Sequence, residues 1–283
     1  MKHFGYFWDG LNGWVFCSVI ATITFVSRWF SVDFPGYLWA SAVLTASVIY
    51  NVDHAVDAYR AKKPQLLAAR HKIYLEYPVL MLFWNMLVAM LLLLSLSELS
   101  LEIYYFGVAG ISFIGIWYGL RYFLRKMPVH FWIKVFGISV GYVGGIWGAL
   151  GAYAKIHYKD RFLPEEWLIP AIGYALLVLT NVLICNQTQL EHDAQYRFKK
   201  SIIHKRLPKY TNWISIIYWV ILLNKNITAS ICAICICVGF EWLLRKSNNH
   251  THLSEIQFAD AFMSVPIVLQ IELALSTYKI ELY

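Results

Sequence analysis

Residues 78–97 read PVLMLFWNMLVAMLLLLSLS, twenty positions without one Asp, Glu, Lys, Arg or His. A helix rises about 1.5 Å per residue, so this run covers about 30 Å, the thickness of a bilayer's hydrocarbon core. An uncharged run of that length reads as a transmembrane helix. Working outward, similar apolar segments fall at about 13–30, 36–52, 102–120, 131–153, 166–186, 211–224, 227–244 and 256–276, making nine in all. The seventh is short for a full crossing, and Asn224, Lys225 and Asn226 mark a turn between it and the eighth. Composition agrees: 59% of residues are hydrophobic, 14% are charged and the mean hydropathy is +0.53. The expectation is an all-α polytopic membrane protein, with 1–283 as a single transmembrane domain and cytoplasmic loops at 53–77, 121–130 and 187–210. No fixed-period repeat and no low-complexity linker interrupts it.

Charge sets an orientation. With the N-terminus inside, the inner loops hold 18 Lys and Arg, including Arg60, Lys62, Lys63, Arg70, Lys72, Arg121, Arg125, Lys126 and Lys134. The outer loops hold six: Arg28, Lys155, Lys159, Arg161, Lys225 and Lys279. Basic residues are retained on the cytoplasmic side, so this asymmetry places the N-terminus in the cytoplasm and the C-terminus outside. An odd number of spans follows. The same distribution explains the net charge of +7 without a nucleic-acid partner, because the basic residues sit between spans. The partner they imply is the bilayer, and the expected location is integral to a bacterial inner membrane.

The first twelve residues lack a Lys/Arg-rich start and a small-residue cleavage site, so no removable signal peptide is expected. Five cysteines, Cys17, Cys185, Cys232, Cys235 and Cys237, all lie in apolar stretches and form no secreted-type disulfide framework. The spacing of Cys232, Cys235 and Cys237 resembles a metal motif. No His or acid lies nearby on that span, so small-residue packing is the expectation.

Two polar clusters sit at the inner ends of spans 2 and 6. The first is Tyr50-Asn51-Val52-Asp53-His54-Ala55-Val56-Asp57-Ala58-Tyr59-Arg60. On a continuing helix Asp53 and Asp57 lie one turn apart on one face, close enough to share a cation. Pro64 then ends the helix. The second is Asn186-Gln187-Thr188-Gln189-Leu190-Glu191-His192-Asp193, in which Asn186, Gln189 and Asp193 share a face. Oxygen ligands in this number suit Mg²⁺, which keeps waters and binds through a few carboxylates plus substrate phosphates. Arg and Lys just beyond each cluster suit phosphate oxygens.

In this arrangement the sequence resembles the UbiA superfamily of intramembrane prenyltransferases. Asp53-His54-Ala55-Val56-Asp57 is similar to the end of that family's first Asp-rich motif, although Ile49 and Tyr50 stand where its leading Asn and Asp fall. Asn186, Glu191 and Asp193 match the second motif, with Gln189 in place of an Asp. Tyr118 with Arg121, Arg125 and Lys126 resembles the family's Tyr and basic residues after helix 4. Lys134 leads into span 5, which carries Gly137, Gly141, Gly144 and Gly145; the glycines also read as close helix packing. Ala69-Arg70-His71-Lys72-Ile73-Tyr74 resembles an Arg-His segment of a divergent bacterial branch.

The resemblance implies a nine-helix UbiA-like bundle and a Mg-dependent transfer of an isoprenyl group from its diphosphate to a lipophilic acceptor, such as one of an aromatic or quinone type. Asp53, Asp57, Glu191 and Asp193 would hold the metal, with Asp53, Asp57, Asp193 and Arg60 at the catalytic centre. Asn51, Asn186, Gln189, Lys63, Arg70, His71, Arg121, Arg125, Lys126 and Lys134 would bind the diphosphate. Trp84, Trp117, Tyr118, Tyr142 and Trp147 are candidates to shield a developing carbocation. His54, His71 and His192 are candidates for acid–base work. Two other readings remain open at this point: a non-catalytic isoprenoid-binding relative, and a transporter using the same acids. The acids nearest mid-span are Asp260, Glu241 and Glu272.

Overall fold

The computed structural model of the chain describes residues 7–8, 10–60, 69–124, 129–158, 164–192, 202–247, 261–263 and 266–267. Among them there are helices and no strands. The helices are α1 (Gly13–Phe30), α2 (Gly36–Arg60), α3 (Ala69–Glu76), α4 (Pro78–Leu96), α5 (Leu101–Phe123), α6 (Val129–His157), α7 (Pro164–His192), α8 (Ile202–Ile221) and α9 (Ile227–Ser247). A short 3₁₀ turn, Leu222–Asn224, separates α8 from α9, where the Asn-Lys-Asn run predicts a break. The expected span 256–276 lies almost wholly outside the described residues.

Among the described residues, six helical segments are long and apolar enough to cross a membrane: Gly13–Phe30, Pro78–Leu96, Ile103–Leu120, Val135–His157, Glu166–Cys185 and Ile227–Arg245. The segments 36–52 and 211–224 are helical, but not among these six.

Helix extends into all three expected loops, as the reading of Asp53 and Asp57 on one continuing helix requires for the first. α2 runs on to Arg60 and α3 occupies Ala69–Glu76, so much of 53–77 is helix. α5 continues to Phe123 and α6 begins at Val129, which narrows 121–130. α7 runs to His192 and α8 starts at Ile202, taking up both ends of 187–210. The physical reason is common to all three. The apolar window marks where hydrocarbon contact ends, whereas a helix ends where its hydrogen-bond ladder meets a breaker. The stretches 53–60 and 186–192 contain no Gly or Pro. α8 starts at Ile202, nine residues before the expected seventh segment, and carries Pro208 inside it.

Packing radiates from α1, which touches α2, α6 and α9. α4 lies against α2 and α3, while the remainder forms the chain of neighbours α5–α6–α7–α8–α9, closed by α9 against α7. The core joins two kinds of contact. Phe25, fully buried on α1, meets Trp147, Tyr174 and Trp219 at centroid distances of 6.4, 5.2 and 5.4 Å. One turn earlier, Thr22 Oγ1 lies 3.0 Å from the Tyr142 hydroxyl and 2.9 Å from the Tyr174 hydroxyl, and donates to the Ser18 carbonyl at 2.7 Å. One hydroxyl thus ties α1, α6 and α7 in an interior where an unpaired polar group is costly.

The glycines divide by environment. A Cβ at Gly137 would collide with the Trp117 indole, and Trp117 Nε1 donates to the Ile133 carbonyl at 2.9 Å. Close packing therefore accounts for Gly137 at the α5–α6 contact. Gly144 and Gly145 face open space.

Thr22→Val leaves the buried Tyr174 hydroxyl without its partner. The expected loss is about 1–3 kcal/mol of stability, read as a lower melting temperature of the purified protein; Thr22→Ser, which keeps the hydroxyl, should fall well short of that loss.

Candidate functional site

The described site residues gather at the C-terminal end of α2, under α3 and beside the end of α5. Asp53 accepts a hydrogen bond from the Tyr118 hydroxyl at 3.1 Å. That contact joins the first polar cluster to the Tyr118 patch, sixty-five positions later in the chain. Asp57, one turn on, faces His71 of α3 with Oδ2 4.0 Å from Nε2. His71 in turn packs its ring edge-on against His54, with centroids 4.7 Å apart. Both imidazoles are buried, at 9% and 4% exposure, although the sequence predicts a loop position for them. Tyr50 caps the His54 ring from the preceding turn, with centroids 6.0 Å apart.

Asn51 is placed differently from expectation. Its Oδ1 accepts a hydrogen bond from Nδ2 of Asn12, just before α1, and both side chains are buried. Asn12 adopts a left-handed backbone, φ 59° and ψ 35°, which Asn tolerates better than most residues. No local signal in the sequence connects Asn12 to a position thirty-nine residues away. Arg70 turns its Nε into the protein, where it finds no hydrogen-bond partner among the described residues. On the same helix Tyr74 is 2% exposed. Burial pushes its phenol well above the ordinary value, and the nearby Asn85 side chain offsets part of that rise.

The second polar cluster follows by register. α6 and α7 pack antiparallel, and Trp167 Nε1 donates to the Trp147 carbonyl at 3.0 Å near their connection. Counting the same number of residues along each helix puts Cys185 level with Val129, at the start of α6. The backbone of Asn186, Gln189 and Glu191 therefore emerges at the end of the bundle that holds Asp53. The side chains of Arg60, Arg121, Lys134, Asn186, Gln189, Glu191 and His192, and all of Lys63, Arg125, Lys126 and Asp193, lie outside the described residues.

Among the described residues, no three His, Cys, Asp or Glu are grouped so as to hold a metal ion. Asp53 and Asp57, one turn apart, fit one side of such a site and no more. Glu241, one of the acids nearest mid-span, is tied to Arg245 at 3.1 Å.

Of the aromatic candidates, Tyr118 bonds Asp53, Trp147 packs tilted within the Phe25 cluster, Tyr142 joins the Thr22 hydroxyls, and Trp84 meets Phe16 edge-on at 6.3 Å. Cys232 and Cys237 are buried and Cys235 is exposed. Cys237 Sγ lies 3.5 Å from Ser215 Oγ and its carbonyl accepts from Asn212 Nδ2 at 3.0 Å, which is the packing role expected.

Set against known proteins, the chain matches no family model, no curated protein and no solved structure.

Replacing Asn12 separates its two contributions. Asn12→Gly keeps the left-handed backbone and loses the bond to Asn51; Asn12→Ala also incurs the left-handed penalty of about 1–2 kcal/mol. The Ala variant should melt below the Gly variant, and both below wild type, in thermal unfolding of the purified protein.

Proposed function

We propose that the chain is an integral membrane enzyme that transfers an isoprenyl group from its diphosphate to a lipophilic acceptor, with the site at the cytoplasmic end of α2. The reading takes the bundle as nine membrane-crossing helices of UbiA-like type in a bacterial inner membrane, N-terminus inside. The observation that carries it is the Tyr118–Asp53 hydrogen bond. It brings two of the patches that carry the family resemblance to one place, and Asp57–His71 adds a third. The antiparallel α6–α7 register supports the fourth by directing Asn186 and Glu191 to the same end.

In this reading Asp53 and Asp57 offer carboxylate oxygens to Mg²⁺, together with Glu191 and Asp193. A bound Mg²⁺ would supply charge neutralisation for a diphosphate leaving group. The chain's own groups do the remaining work. Tyr118 fixes the Asp53 carboxylate through Oδ1. His71 holds Asp57 at the α2–α3 contact. Arg60, Arg121, Arg125 and Lys126 add positive charge at the helix ends, where diphosphate oxygens would lie. Charge held in place before the C–O bond breaks lowers the barrier more than any other device such a site has.

A second reading is a relative that binds the isoprenoid without transferring it. Its support is in the sequence: Gln189 stands where the second motif has an Asp, and Ile49 and Tyr50 stand where the first has its leading Asn and Asp.

Purified protein incubated with isoprenyl diphosphates and Mg²⁺ should release pyrophosphate, and EDTA should stop the release. Asp53→Ala and Asp57→Ala should each abolish Mg-dependent diphosphate binding while expressing near wild-type level. Normal binding by both variants removes the site. Metal-dependent binding without pyrophosphate release favours the second reading.

A further inference from the structure

α3 is eight residues long, too short to hold its shape without neighbours. It nevertheless carries His71, which meets two residues of α2: Asp57 at 4.0 Å and the His54 ring at 4.7 Å. Something must keep α3 on α2, and the contacts of its other side show what does.

Ile73 lies about 200° round the helix from His71, on the opposite face. It has no exposed surface. The backbone of Gly10 runs directly against it. A Cβ at position 10 would collide with Ile73 Cδ1 and crowd its Cγ2 and Cβ. The backbone at Gly10 is not left-handed, so the glycine answers the close approach rather than a special conformation. One turn on, the Tyr77 N–H donates to the Ile73 carbonyl at 2.8 Å, and the Tyr77 ring meets that of Phe7 at 5.5 Å. Phe7 and Leu11 pack against a small cluster of Ala58, Ile73, Tyr74 and Met81, which is separate from the main core. Residues 7–8 and 10–12 thus cross α3 on the side away from His71.

This segment is itself tied down. Asn12 Nδ2 donates to Asn51 Oδ1 of α2, two residues before Asp53. Trp8 lies on Gly13, where a Cβ would strike its indole, and meets Trp14 edge-on at 5.9 Å. A short helix is therefore held between two supports, α2 on one side and the N-terminal segment on the other. With the segment displaced, His71 has no fixed place beside Asp57.

We propose that Phe7, Gly10 and Asn12 are positioning residues of the carboxylate site: they form a strap that presses α3 onto α2 and so sets His71 against Asp57. The proposal deepens the reading of that site given above and rests on it. The strap makes and breaks no bond. It acts through His71, because a carboxylate whose partner is fixed offers its oxygens in one direction.

The test uses the purified full chain. Gly10→Leu drives the strap off Ile73. Gly10→Leu combined with Ile73→Ala exchanges the two volumes and lets the strap return. Hydrogen exchange over residues 69–76, measured without substrate, examines the strap apart from the transfer reaction. Gly10→Leu should exchange at least about tenfold faster there, with α6 and α7 around Phe25 as protected as in wild type, and the double variant should recover. Mg²⁺-dependent binding of farnesyl diphosphate should weaken about tenfold in Gly10→Leu and recover in the same double variant. Added to His71→Ala, Gly10→Leu should weaken binding no further, since both act through one group. Phe7→Ala, which removes one ring and inserts nothing, should move both measurements the same way and serves if Gly10→Leu does not fold. Unchanged exchange over 69–76 in the folded variants overturns the strap. Faster exchange with unchanged diphosphate binding, or full additivity with His71→Ala, overturns its positioning role. Faster exchange in the variants together with no diphosphate binding by wild type sinks the transfer reading and supports the strap's hold on α3.

Discussion

The Thr22 hydroxyl lies where α1, α6 and α7 meet, and the architecture depends on that junction. Between helices in lipid the hydrophobic effect gives little net attraction, because a leucine is as well solvated by acyl chains as by another helix. What selects one packing over another is interdigitation and the pairing of polar groups. Thr22 supplies the polar part, with two tyrosine hydroxyls and a backbone carbonyl around one oxygen. Phe25 supplies the interdigitation one turn on, against Trp147, Tyr174 and Trp219. Helices with no comparable anchor are held at the periphery. α4 and α5 bury 11% and 6% of their apolar windows, against half for α1, α7 and α9.

From this centre, α2 takes its position against α1 and carries the chemistry outward on two sides. One side leads to Tyr118 through Asp53, the other to α3 through His54 and to Asn12 through Asn51. α2 can serve both because it does not stop at the edge of its apolar stretch. Two further turns of helix project Asp53, Asp57 and Ala58 beyond the stretch in fixed angular relation. A flexible loop at the same place would carry the same residue types without a defined geometry between them.

Much of this is legible in the sequence. Long uncharged runs locate the helices, the Asn-Lys-Asn triplet locates the α8–α9 turn, and the four-residue spacing of Asp53 and Asp57 places them on one face. Tyr118 stands out in the sequence beside the same chemistry that it touches. The helix ends are less legible, because hydropathy reports the environment of side chains, while the ladder responds to Gly, Pro and caps. Least legible is the contact of the N-terminal segment with α2 and α3. Asn51 reads as a neighbour of the carboxylates, and its true partner, Asn12, is remote in sequence.

In the nine-helix reading, the weakly apolar helices bear on how such a chain would reach a bilayer. α2 and α8 fall outside the six segments that are, among the described residues, long and apolar enough to cross a membrane, yet each lies against neighbours that are within them: α1 and α4 for the first, α7 and α9 for the second. In the nine-helix reading, neither would leave the translocation channel unaided. Each would enter as a hairpin with the more oily neighbour synthesised just before it. The order of synthesis then becomes part of the folding code, since α1 precedes α2 and α7 precedes α8.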